Sequence, residues 1–174
     1  MDLSHVLWIG GGQGSGTSAV AEALARRFDL QLYAIDDHER AHEPRMPRTE
    51  VVSHAPVTPA ELVDPFVKSS RHRFRLVLED LAALPPSPLA IVEGPQLFPT
   101  SVAAVLREPT HALFLLPNLD DASSFDALIG RRYGWEAADL RLTALPVDAP
   151  LEEMIERVAA HFLPVISAAT DRSP

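Results

Sequence analysis

Apolar residues fall in short runs along this chain, separated by polar or helix-breaking residues. The first run, His5-Val6-Leu7-Trp8-Ile9, is continuous and ends in a glycine-rich stretch. The period then changes. Val20, Leu24 and Phe28 recur every four residues, with Ala21 and Ala25 beside them, which predicts one apolar stripe on a helix over 16–28. Residues 30–35, Leu-Gln-Leu-Tyr-Ala-Ile, predict a second strand that ends at Asp36-Asp37. From His38 to Pro59 the prolines at 44, 47, 56 and 59 and dense charge predict a loop-rich excursion. Thr58-Pro59-Ala60-Glu61 has the letters of a capping box with proline in the first turn, so a helix starts there. Pro65 is expected to break or kink it, and a stronger helix is expected over 69–84 with Phe74, Val77, Leu78, Leu81 and Leu84 inward.

Leu89-Ala90-Ile91-Val92 and residues 111–116 predict two more buried strands, ending at Glu93-Gly94-Pro95 and Pro117-Asn118. A short helix over 101–106 lies between them, and residues 120–132 read as helix leading into Tyr133-Gly134-Trp135. Residues 140–147 predict the last strand. A final helix over 151–162 puts Leu151, Ile155, Val158 and Phe162 on one face, and the tail after Thr170 is expected to fray. Short apolar strands alternating with helices predict an α/β fold, three layers deep, with a mainly parallel five-stranded sheet covered on both faces. Ligands of such sheets bind beyond the carboxyl ends of the strands. Here those ends carry the glycine stretch, Asp36-Asp37, Glu93-Gly94 and Pro117-Asn118.

Length and charge narrow the picture. The 174 residues suit a single domain over 1–174 with a sizeable core. The net charge of −9 argues against nonspecific nucleic-acid binding, although one local pocket suffices for a nucleotide. The absence of cysteine excludes disulfides and thiolate metal sites. No apolar run reaches membrane-spanning length, and Met1-Asp2-Leu3-Ser4-His5 does not open a signal peptide. A cytoplasmic protein without membrane partners is expected, and no feature of the sequence sets an oligomeric state.

The candidate chemistry starts at Gly10-Gly11-Gly12-Gln13-Gly14-Ser15-Gly16-Thr17-Ser18. A strand, a glycine loop and a helix N-terminus aim backbone N–H groups at one spot and form an anion cradle. From Gly11 to Gly16 the spacing matches the P-loop pattern G-x-x-x-x-G-K-[ST], with Ser18 as the Mg²⁺-binding hydroxyl and Thr17 where the lysine belongs. Gly11, Gly12, Gln13, Gly14, Ser15, Gly16, Thr17 and Ser18 are therefore the candidate nucleotide-binding residues. The letters also fit a dinucleotide turn (Gly14-x-Gly16-x-x-Ala19, with Asp36 as ribose acid), a sulfotransferase-like loop and a plain turn. A plain turn does not require so many glycines and hydroxyls at a helix start.

Phosphoryl transfer also needs a positioned nucleophile, a metal and positive charge. Asp36 or Asp37 is the candidate for orienting and deprotonating an acceptor hydroxyl. Glu93 and Ser18 are the candidate Mg²⁺ residues. Arg131 and Arg132 are the candidate closing cations. Arg71-His72-Arg73-Phe74-Arg75 is the densest basic stretch and reads first as a solvated helix face. His38-Glu39-Arg40-Ala41-His42 spells the zinc-protease pattern H-E-x-x-H, but it abuts a strand end, Pro44 follows closely, and no third ligand stands out.

These segments, in this order, resemble the nucleoside and nucleotide kinase branch of P-loop proteins. Ala34-Ile35-Asp36-Asp37-His38 and Ile91-Val92-Glu93-Gly94 resemble strand ends of uridine-kinase-type enzymes. Gly14-Ser15-Gly16-Thr17-Ser18 resembles the lysine-less loop of some cytidylate kinases. The resemblance implies a five-stranded parallel sheet, a substrate cap within 38–88 and a lid within 118–139. It also implies an ATP- and Mg²⁺-dependent kinase for a small hydroxyl-bearing metabolite, with nucleosides and nucleotides among the candidates. The alternative is a degenerate nucleotide-binding regulatory module without turnover, followed by a sulfotransferase-like or NAD-binding protein.

Overall fold

The computed structural model describes residues 2–47, 57–119 and 121–170. Strands β1 (Val6–Gly11), β2 (Gln31–Ala34), β3 (Ala90–Gly94), β4 (Ala112–Pro117) and β5 (Thr143–Val147) form one sheet. Its order is β2-β3-β1-β4-β5, and every neighbouring pair runs parallel. Helices α1 (Thr17–Phe28), α2 (Glu39–His42), α3 (Pro59–Ala83), α4 (Pro99–Ala103), α5 (Phe125–Asp139) and α6 (Leu151–Thr170) make the crossovers and cover the faces.

The period-two alternation of the central strand divides the core in two. Val6 and Trp8 face one side, with Tyr33, Val92 and Phe114, and pack under Phe74, Val77 and Leu81 of α3 and Ile129, Tyr133 and Ala137 of α5. Leu7 and Ile9 face the other, with Ile91, Leu113 and Leu115, under Val20 and Leu24 of α1 and Met154, Val158 and Phe162 of α6. The predicted three-layer parallel fold is the observed one.

Several boundaries differ. Pro65 does not end a helix: α3 runs unbroken from the capping box at Thr58 and Glu61 to Ala83. Val63, Phe66, Val67, Phe74, Val77 and Leu81 form one inward stripe across the proline. Packing of that stripe outweighs the roughly 3 kcal/mol that an interior proline costs. Likewise α6 continues through Pro164 to Thr170, and its buried line is Met154, Val158, Phe162 and Ile166, while Leu151 is exposed. Helix α5 starts later than expected, because the Ser124 hydroxyl caps it by accepting from the Ala127 N–H. The excursion after β2 contains a 3₁₀ turn at Ile35–His38, α2 and a second 3₁₀ turn at Glu43–Arg45. Its part at 48–56, the expected helical start at Asp120 and the tail after Thr170 lie outside the described residues.

Candidate active site

Strand β1 sits at the centre of the sheet, so the loop that leaves it opens at the middle of the carboxyl edge. Gly14 and Gly16 hold φ values of 80° and 76°, a region that L side chains rarely adopt. Gly16 is the N-cap of α1 and makes no side-chain cap bond, which leaves the first amides of the helix for a ligand. At Gly11 a Cβ would come within 2.5 Å of Ser15 Oγ and 2.7 Å of the Leu115 carbonyl, so the loop closes tightly there. Ser15 is only 3% exposed, and its hydroxyl has no hydrogen-bond partner within the protein. A buried, unpaired hydroxyl in a ring of amides is what an oxyanion ligand satisfies.

A cavity of about 550 Å³ opens above this loop. Residues 11–19 form its floor, Asp36 one rim, and Phe66, Pro95, Gln96, Phe125, Asp126 and Ile129 the remaining wall. That size suits a small-molecule site. Tyr133 fixes one side of the wall: its buried hydroxyl donates to the Pro95 carbonyl at 2.8 Å, and its ring stacks on Phe98 at 4.7 Å.

Glu93 lies next to Ile9 and Ala34 in the sheet register and is 2% exposed. The Ser18 hydroxyl donates to it at 3.1 Å. Thr17, at the lysine position, is buried at 7% exposed, and its hydroxyl lies close enough to act on the Glu93 carboxylate. Burial raises the Glu93 carboxyl above its ordinary range, the bonds from Thr17 and Ser18 oppose this, and the charges of Asp36 and Asp37 add to the rise. The Ser18 hydroxyl and Glu93 carboxylate are hard oxygen donors and fit Mg²⁺. Among the described residues, no three His, Cys, Asp or Glu side chains come together as a metal site.

The 3₁₀ turn beyond β2 buries Ile35 and carries the exposed Asp36 onto the cavity rim, with the exposed Asp37 beside it but off the wall. Arg131 and Arg132 are not on that wall. Arg131 donates to the Ala122 carbonyl at 2.6 Å, and Arg132 bonds Glu136 at 2.8 Å and lies 3.7 Å from Asp64. Both line a separate groove between the start of α3 and α5, with Trp135. The two sets lie on different sides of α5: Ile129 and Tyr133 face core and cavity, while Leu128, Arg131, Arg132 and Trp135 line the groove.

The H-E-x-x-H histidines bind protein groups. His42 is buried, with Nε2 2.9 Å from Asp80 Oδ2, and His38 stacks on Tyr33. In the basic stretch of α3, Arg71 and Arg75 are exposed as expected, but Arg73 is buried and pairs with Glu39 at 3.3 Å. Sequence reasoning missed the wall residues Phe66, Gln96, Phe125 and Asp126. Only Gln96 carried a signal, from its place just beyond the Glu93-Gly94-Pro95 strand end.

No family model matches the chain, and no curated protein matches it. Solved structures do. A gluconokinase from Sinorhizobium meliloti 1021 is similar over 100% of both chains, with a TM-score of 0.55 at 14% identity. A shikimate kinase from Aquifex aeolicus vf5 is similar over 91% of this chain and 96% of its own, also with a TM-score of 0.55 at 14% identity.

The chain has the fold of the P-loop kinases.

At that identity the likeness is one of fold, and the site rests on this chain's own residues. The glycine loop follows β1, the central strand of the sheet. Glu93 lies on the adjacent strand β3, and the Asp-bearing turn follows β2, one strand further out on the same side. Among the described residues, no helix is long and apolar enough to cross a membrane.

Proposed function

We propose that this protein is an ATP-dependent phosphotransferase acting on the hydroxyl of a small metabolite. One observation carries the reading. An open glycine loop with an unpaired buried Ser15 hydroxyl meets the Ser18–Glu93 pair and an Asp-bearing turn on one cavity.

The loop amides and the N-terminus of α1 hold the β- and γ-phosphates. Ser18 and Glu93 hold Mg²⁺, which when bound supplies positive charge to the phosphate oxygens. Asp36 accepts a hydrogen bond from the acceptor hydroxyl. The acceptor oxygen forms a bond to the γ-phosphorus as the bond from that phosphorus to the bridging oxygen breaks. ADP leaves with the bond electrons, and the hydroxyl proton passes to Asp36 and then to water. The apolar wall of Phe66, Phe125 and Ile129 keeps water from competing with the acceptor.

A second reading has its own support: among the described residues no lysine or arginine lines the cavity. Loss of one charge-stabilising donor costs about 3–4 kcal/mol at a transition state. A nucleotide-binding module without turnover accommodates that loss. Incubation with Mg·ATP and a panel of alcohols, sugars and nucleosides separates the two. ADP formed in step with a phosphorylated acceptor supports the kinase. Tight Mg·ATP binding without transfer to any acceptor supports the module.

A further inference from the structure

The charged residues on the cavity wall are acids. Asp36 and Asp126 line it, Glu93 lies buried behind Ser18, and Asp37 acts on the same carboxyl. Among the described residues no lysine, arginine or histidine lines it. Arg132 lies in the separate groove beyond this wall and is paired with Glu136, and the buried Arg73 of α3 is paired with Glu39.

The phosphate end is supplied with donors by the loop amides and α1. The rest of the wall is apolar or acidic. Phe66 and Phe125 meet edge to face at 5.4 Å, with Ile129 beside them. An anionic group on the acceptor would lose its water against two rings and two carboxylates, with no counter-charge. Gln96 also lines this wall and is uncharged.

We infer that the acceptor is a non-anionic alcohol with an apolar or aromatic body, neutral or amine-bearing. Carboxylate- and phosphate-bearing acceptors are rejected, which removes nucleotides and leaves nucleosides. The inference rests on the kinase reading and narrows it.

Three probes share a phenyl ring and a benzylic hydroxyl and differ in charge: 2-amino-1-phenylethanol, 1-phenylethane-1,2-diol and mandelate. Each is titrated calorimetrically into the full chain without nucleotide, and Mg·ATP is titrated separately. The amine and the diol are expected to bind at least about tenfold tighter than mandelate, a gap of about 1.4 kcal/mol. In Asp126→Asn the amine's margin over the diol is expected to shrink while the diol is unchanged. Mandelate binding as tightly as the diol overturns the inference. So does failure of both the amine and the diol to bind. Absence of Mg·ATP binding with the probe order intact instead removes the kinase reading and leaves the charge selectivity of the cavity standing.

Discussion

His42 Nε2 lies 2.9 Å from Asp80 Oδ2, and the same oxygen accepts the Tyr33 hydroxyl at 2.6 Å. Tyr33 precedes the Asp36-Asp37 turn and His42 follows it. One carboxylate of α3 therefore holds both flanks of the segment that carries the candidate base. The His38 ring, stacked on Tyr33 at 4.0 Å, closes the arrangement from within the turn. Asp80→Asn is expected to cost on the order of 2 kcal/mol in urea unfolding, because hydrogen bonds to a charged group are among the stronger ones. In transfer assays it should lower kcat several-fold while the affinity for Mg·ATP stays unchanged. Burial works to raise the Asp80 carboxyl, but the bonds from Tyr33 and His42 and the nearby His42 and His38 rings outweigh it and hold it below its ordinary 3.8. A depressed folded pKa gives stability that is full above the unfolded value and lost as pH falls through the folded one. Wild-type protein should therefore lose stability below about pH 4 more steeply than the Asn variant. Equal slopes for the two would contradict this.

Glu93→Gln tests the opposite sign. Burial raises this carboxyl, Thr17 and Ser18 partly offset it, and Asp36 and Asp37 reinforce it. The folded chain thus holds the proton more firmly than the unfolded chain, and stability from this group is lost as pH rises above the ordinary 4.5. Glutamine keeps the shape without the buried charge. Metal-free Glu93→Gln should melt roughly 2–4 °C higher than wild type at pH 7, the shift that about 1 kcal/mol produces in a chain of this size. The gap should shrink toward pH 4, while Mg·ATP affinity falls about tenfold as a charged metal donor is lost. Calorimetric melts across pH and Mg·ATP titrations read both effects.

Two alanine substitutions separate packing from conformation in the loop. At Gly11 the added methyl meets Ser15 Oγ and the Leu115 carbonyl, so Gly11→Ala should lower stability by about 2 kcal/mol or more. At Gly14 the methyl meets nothing within 4 Å, but φ is 80°. Gly14→Ala should cost only about 1 kcal/mol of stability. Its larger effect should be on Mg·ATP binding, since relaxing that φ turns the loop amides away from the phosphate. A Gly14→Ala protein that binds Mg·ATP like wild type would show that the loop is not the cradle.

Arg131 and Arg132 give a negative control. Both are tied to protein groups in the groove beside Trp135. The double alanine variant should keep Mg·ATP affinity within about twofold, because screened charges beyond the cavity contribute little. It should lose less than about 1 kcal/mol of stability, from the Arg132–Glu136 pair on one helix face. A large loss of Mg·ATP affinity would bring these arginines back to the nucleotide.

The fold was legible in the sequence because each strand is a short apolar run and each crossover has helical spacing. Position along the chain also set the strand ends, so the glycine loop, Asp36 and Glu93 were found together. Two kinds of feature were not legible. Local rules end a helix at Pro65 and Pro164, but a stripe packed on the sheet overrides them, and packing is a property of the whole molecule. Side-chain direction is the other. Arg131 and Ile129 are two residues apart, yet one points to the groove and the other to the cavity. Phe66 looks like any core aromatic in sequence, and only the meeting of α3 with α5 brings it to the wall.

The strand order has a consequence for synthesis on the ribosome. Strands β1 and β2 emerge first, but they are never neighbours, since β3 lies between them and pairs with both. The nascent chain has no sheet partner for either until residues 90–94 have left the exit tunnel. Until then Trp8, Ile9 and Tyr33 have no assembled core to enter, and the loop after β1 has no fixed platform. A fragment ending with α3 should therefore remain unfolded, and sheet formation should begin only when β3 inserts between the two waiting strands.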